Sequence, residues 1–149
     1  MKIEKASVED NEILTEITKK SKAYWGYSEE QILKWKDNLT ISEAYIETNS
    51  VYKLVDEDKI VGYYSFIIKE EKIAILDNLF VLPEYIGKGF GKYLMNDFLY
   101  RMRNGKFKKI TLDSEPNAED FYLKFGFKKI GEFETSIKNR FMPIMEMSL

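Results

Sequence analysis

The stretch NLFVLPEYIGKGFGKYLM, Asn78 to Met95, sets three glycines within five residues between an apolar run and a segment of helical periodicity. The run before them, KIAILDNLFVL, reads as a strand. After them Leu94, Met95, Phe98, Leu99 and Met102 recur at three- and four-residue spacing, which predicts a helix from Gly91 to Met102 stopped by Gly105. A turn from a strand end into a helix start collects unpaired N–H groups and the positive end of the helix dipole, a setting that attracts an anion. Glycine removes the Cβ that would hold a phosphate away from the backbone, and Lys88 and Lys92 add positive charge. The plainer reading of the same residues is a turn that only redirects the chain.

Two familiar phosphate motifs do not fit. A Walker A loop ending at Gly91-Lys92 requires glycine at the place of Ile86 and Ser or Thr at the place of Tyr93. A dinucleotide fingerprint begun at Gly87 or Gly89 requires a third glycine where Lys92 or Leu94 stands.

Working outward, 149 residues suffice for one domain with its own core, and the reading is a single domain over 1–149. Lys plus Arg number 23 against 25 Asp plus Glu, a formal charge of -2, so no overall field draws the chain to nucleic acid or anionic lipid. Cysteine and histidine are both absent, which removes disulfides, thiolate nucleophiles, imidazole bases and the usual zinc ligands; no metal is expected. The start MKIEKASVEDNE lacks the apolar core of a signal peptide, and no apolar run is long enough for a bilayer span, so a soluble cytoplasmic protein is expected.

KIEKA predicts a first strand and SVED a helix cap, with Ser7 and Asp10 as partners, for a helix reaching about Lys20. SEEQILKWKDNL predicts a second helix capped by Ser28 and Gln31. VYKLVD, IVGYYSFII and KIAILDNLFVL follow as three consecutive strands, then the glycine turn and its helix, the strand KKITLD, the short helix NAEDFYLKF ended by Gly126, and two last strands, FKKIGEF and RFMPIMEMSL. The order β-α-α-β-β-β-α-β-α-β-β predicts an α/β mixed sheet with helices on its faces. A helical crossover between KIAILDNLFVL and KKITLD requires those two strands to be parallel.

The glycine turn after a strand, followed some 30 residues later by PNAEDFYLKFGF, resembles the GNAT superfamily of acetyl-CoA-dependent N-acetyltransferases. The motifs cover Ile73 to Ile130. Gly89 and Gly91 match the family's Arg/Gln-x-x-Gly-x-Gly/Ala, and Tyr122, Gly126 and Phe127 match its Tyr-x-x-x-Gly-Phe; the Arg/Gln place is Ile86. The resemblance implies a mostly antiparallel central sheet with a splayed parallel pair of fourth and fifth strands. It implies acetyl-CoA as co-substrate, with its pyrophosphate on the N–H groups of Gly87, Lys88, Gly89, Phe90, Gly91 and Lys92. It places Leu79, Phe80 and Val81 at the strand end, where a backbone N–H meets the thioester oxygen, Asn117 on the pantetheine arm, with a helix cap beside Pro116 as the alternative, and Tyr122 as general acid for the departing thiolate.

Asp77, four residues before Val81 and on the same strand face, is the candidate base through water, with water alone as the alternative. The acceptor pocket implied by the resemblance draws on the connection KAYWGYSEE, whose Tyr24, Trp25, Tyr27 and Glu30 suit a cationic amine. Arg140 is the candidate for an acceptor carboxylate, against a plain surface arginine. Aromatic sealing of the second helix is the structural alternative for the tyrosines and tryptophan. The expected function is transfer of acetyl to a primary amine in a ternary complex; the alternative is a non-catalytic acyl-CoA sensor on the same fold. The expected partners are acetyl-CoA and an amine acceptor, with no nucleic acid and no membrane, and a homodimer is compatible with the reading.

Overall fold

The computed structural model describes Met1 to Leu149 throughout. Along the chain lie β1 (Lys2–Lys5), α1 (Asn11–Tyr24), α2 (Glu29–Lys34), α3 (Lys36–Leu39), α4 (Glu43–Thr48), β2 (Ser50–Asp56), β3 (Lys59–Glu70), β4 (Ile73–Val81), α5 (Phe90–Asn104), β5 (Lys109–Asp113), α6 (Glu119–Lys124), β6 (Lys128–Glu134) and β7 (Phe141–Ser148). The seven strands form one mixed sheet in the order β1-β2-β3-β4-β5-β7-β6. Neighbours pair antiparallel at β1–β2, β2–β3, β5–β7 and β6–β7, while β4 and β5 pair parallel. The α5 crossover between those two strands supplies the long connection that parallel pairing needs. No helix is long and apolar enough to cross a membrane.

The chain packs as two compact units, Met1–Phe66 with Asn78–Arg101, and Ile67–Asp77 with Met102–Leu149. In the first, β2 and β3 are joined by Glu57 and Asp58 at φ 50° and 64°, the left-handed pair that a two-residue hairpin requires. β3 then serves two faces by simple alternation. The Tyr63 hydroxyl meets Thr18 of α1, while Tyr64 donates to Asp97 of α5 at 2.7 Å and Tyr64 and Phe66 pack on Phe98 at 5.4 and 5.6 Å. α1 buries Leu14, Ile17, Thr18 and Ser21, an i, i+3, i+4, i+7 stripe, and α5 buries Leu94, Met95, Phe98 and Leu99, while Met102 is buried in the second unit. In the second unit the core draws on Ile110, Leu112, Phe127, Met145 and Met147 of β5, β7 and the α6–β6 turn.

Three helical features differ from the sequence reading. α1 continues to Tyr24 because Ser21, in its last turn, is buried and donates to the Val81 carbonyl at 2.7 Å. The single second helix is broken at Trp35 into α2 and α3; α2 buries no residue, so nothing holds it in one line with its successor. α4 was not foreseen: it is six residues long with only Ile46 buried, too little for periodicity to register, though Ser42 caps it by accepting from the Tyr45 N–H at 3.0 Å.

Candidate active site

The end of β4 is held from two sides. Ser21 takes the Val81 carbonyl, and the Leu82 N–H donates to the Val61 carbonyl at 2.8 Å. Leu79 and Phe80 are half-buried and Val81 is buried. Gly62 makes this closeness available, since a Cβ there would lie 2.8 Å from the Phe80 oxygen and 3.3 Å from a Leu94 methyl. Pro83 then opens a single 3-10 turn, closed by the Ile86 N–H on the Pro83 carbonyl at 3.1 Å.

From there the backbone is unpartnered. Gly87 and Gly89 take φ of 82° and 86°, left-handed conformations that a side chain resists, and a Cβ on either would meet open space. The Gly89 carbonyl accepts the first helical bond of α5, from the Tyr93 N–H at 3.0 Å, and no N–H from Gly87 to Lys92 donates within the protein. Six donors therefore stand at the head of a 15-residue helix with no acidic residue in its first turn. Tyr85 stacks on Phe90 at 5.1 Å, and the ammonium groups of Lys59 and Lys88 each lie 5.9 Å from the Tyr85 ring. Open donors, a helix start and two nearby cations are the features that suit an anion; Lys59, far away in sequence, was not among the expected residues.

The second unit holds other candidate residues. Parallel pairing of β4 and β5 runs from Ile73↔Lys109 to Ile75↔Thr111. Asp77 and Asp113, each two residues beyond the last pair, are both exposed. Burial of its carboxyl and then the charge of Asp77 hold the Asp113 carboxyl above the ordinary aspartate range. Asp113 was missed in the sequence, because only the register sets the two carboxylates against one another.

Tyr122 is buried, edge-on to Phe121 at 5.2 Å and Phe127 at 5.8 Å. Its hydroxyl makes no hydrogen bond, yet no buried polar side-chain atom is left without a partner, so the hydroxyl itself reaches solvent. Burial, reinforced by the Glu115 carboxylate, pushes the phenol well above its ordinary range, so it stays protonated. Gly126 at φ 102° closes α6, as the Tyr-x-x-x-Gly-Phe pattern requires.

Residues 24–149 match the family model of the acetyltransferase (GNAT) domain. The chain belongs to the GNAT family. It is 26% identical over 94 residues to the uncharacterized N-acetyltransferase ycf52 of Pyropia yezoensis, covering 63% of this chain and 54% of that protein. It is 29% identical over 94 residues to the ribosomal protein bS18-alanine N-acetyltransferase of Haemophilus influenzae, covering 61% of this chain and 60% of that one. The match thus spans between half and two thirds of the length of these curated relatives. Among solved structures, the PaiA N-acetyltransferase of Thermoplasma acidophilum in complex with coenzyme A shares the fold at a TM-score of 0.82 and 25% identity, over 100% of both chains.

In this GNAT chain the residues expected to meet the acceptor fall into separate groups. Tyr24 and Trp25 are exposed and pack edge-to-face at 5.2 Å. Tyr27 instead packs on Trp35 at 5.0 Å, beside Lys22. Glu30 lies 3.8 Å from Lys34, within α2. Tyr27 and Glu29 also border a largely apolar pocket of about 320 Å³ with Ile32, Leu33 and Lys36.

Arg140, the candidate for an acceptor carboxylate, is paired within the chain. Its side chain is 11% exposed and donates to Glu115, itself 9% exposed, at 2.8 Å. Asn117 does not cap α6: it sits in the preceding 3-10 turn, its amide donating to the other Glu115 oxygen at 2.8 Å.

Proposed function

We propose that residues 1–149 act as one N-acetyltransferase domain that moves the acetyl group of acetyl-CoA to a primary amine by direct attack in a ternary complex. The observation that carries this reading is the run of unpartnered N–H groups from Gly87 to Lys92 at the head of α5, in a chain of the GNAT family. Those donors, with Lys88 and Lys92, suit the pyrophosphate of coenzyme A, the molecule held by the PaiA neighbour. Ile86 in place of the motif's Arg or Gln then matters little, because the donors all follow it in the chain.

The backbone of Leu79, Phe80 and Val81 polarises the thioester carbonyl from the strand end. Asn117 takes the pantetheine arm. Asp77, with Asp113 beside it, or water receives the proton that the attacking nitrogen sheds as the C–N bond forms. The C–S bond breaks, and Tyr122 donates to the departing sulfur, so one proton leaves the nitrogen and one reaches the thiolate. Tyr24, Trp25, Tyr27 and Glu30 are the proposed residues for a cationic acceptor.

The test is amine-dependent release of free thiol from acetyl-CoA across a panel of amino acids, small amines and peptides with free N-termini. Release above the hydrolytic background is expected with at least one class. The second reading, a non-catalytic acyl-CoA sensor, is favoured by the want of a dedicated base, since without histidine or cysteine only Asp77 or water remains for that part. Calorimetric binding of acetyl-CoA with no thiol released by any amine selects it.

A further inference from the structure

The Glu115–Arg140 pair supplies no proton and no contact to the reacting groups in the chemistry just described, yet two charges withdrawn from water persist only where each is held by a partner. Arg140 Nη2 donates to Glu115 Oε2 at 2.8 Å, and Asn117 Nδ2 donates to Glu115 Oε1 at 2.8 Å. Both ends of this strap are anchored. The Glu115 carbonyl accepts from the Ala118 N–H and the Ser114 hydroxyl, each at 2.8 Å. The Arg140 N–H donates to the Ile137 carbonyl at 3.1 Å, and its carbonyl accepts from the Thr135 N–H at 2.9 Å.

An ionised carboxylate can only accept hydrogen bonds. The Asn117 carboxamide must therefore turn its NH2 toward Glu115, because the opposite orientation would set oxygen against oxygen. Its own oxygen is left facing outward on an exposed residue, with no hydrogen bond within the protein. An amide oxygen fixed this way is a single-purpose acceptor. The pantetheine arm of coenzyme A carries two secondary amides, each with an N–H to give.

We propose that Glu115, clamped by Arg140, is a positioning residue that locks the Asn117 carboxamide with its oxygen outward to accept an amide N–H of the pantetheine arm. The proposal rests on the reading of acetyl-CoA as the ligand. It makes Glu115 and Arg140, which touch no part of the substrate, determinants of cofactor affinity.

The experiment is calorimetric binding of two probes to the parent, Glu115→Gln, Asn117→Ala and the double variant. One probe is coenzyme A; the other is adenosine 3′-phosphate 5′-diphosphate, which keeps the phosphates and lacks the arm. Glutamine at 115 can offer its own NH2 to Asn117 and lets the carboxamide turn over. Coenzyme A should bind about five- to tenfold more weakly to either single variant, as for loss of one neutral hydrogen bond. The double variant should be no weaker than Asn117→Ala, and the nucleotide should bind all four proteins alike. Unchanged coenzyme A affinity in Glu115→Gln, a parallel loss for the nucleotide, or fully additive losses would each overturn the proposal. If Glu115→Gln does not fold, Glu115→Gln with Arg140→Gln removes both charges together and is read by the same outcomes. A parent that binds neither probe defeats the acetyl-CoA reading itself, a result distinct from all of these.

Discussion

The turn after β4 and the turn after β5 have the same outline, a strand end, one 3-10 turn opened by a proline, then a helix, yet they keep their chemistry in different places. The first leads into a helix of 15 residues with no acid in its first turn, and its N–H groups are left open. The second leads into a helix of six residues whose first turn holds Glu119 and Asp120, which already answer the helix dipole. What the second turn offers is side chains: Tyr122 with a bare hydroxyl, and Asn117 held by Glu115. A backbone site tolerates changes of side chain so long as φ is preserved, whereas a side-chain site depends on packing and neighbouring charge.

The largest effect should come from the second turn. Tyr122→Phe keeps the ring and its contacts and removes only the proton, so single-turnover acetyl transfer should fall about ten- to a thousandfold with acetyl-CoA affinity unchanged. Transfer at the parental rate would mean that Tyr122 only packs. Next comes the first turn: Gly89→Glu forces a side chain into a left-handed position and sets a negative charge among the donors. Coenzyme A should bind at least about tenfold more weakly by calorimetry, and parental affinity would move the phosphate elsewhere.

Asp113→Asn should have a smaller effect, and one that depends on pH. Because folding raises the Asp113 carboxyl above its ordinary value, the folded chain binds its proton more readily than the unfolded one. The associated stability is present below the ordinary aspartate range and is lost as pH rises through the raised value. The variant should therefore melt slightly above the parent at neutral pH, and the difference should vanish as pH falls toward the ordinary aspartate range; a difference that grows on acidification would reverse the assignment. The smallest effect is expected of Ile86→Arg, which adds a cation next to donors that already suffice. Tightening of coenzyme A beyond about tenfold would show that side chains rule the first turn too.

Much of the architecture was legible locally. The apolar spacing of Leu94 to Met102 specified α5, the alternating runs specified the strands, and the crossover length made β4 and β5 parallel. The glycine turn and the Tyr122, Gly126, Phe127 pattern pointed to the family before any coordinates. These signals lie within one element or one turn, where periodicity, capping and φ preference act directly. The break at Trp35 and the short α4 left no such trace, because each is set by what lies against it.

The amino-acid sequence by itself determined the strands, α1, α5 and α6, the glycine turn and the chemistry available, since the absence of cysteine and histidine narrows the inventory whatever the fold. Only the tertiary structure decided the partnerships. It brought Arg140 onto Glu115 across 25 residues, set Asp113 beside Asp77 through the β4–β5 register, and pressed Gly62 against the Phe80 carbonyl. It also turned Tyr27 toward Trp35 and away from Tyr24 and Trp25. Helix and turn preferences are short-range terms summed along the chain, whereas a strand register or a buried ion pair is settled only when distant segments pack together. One residue of slip would exchange every partner.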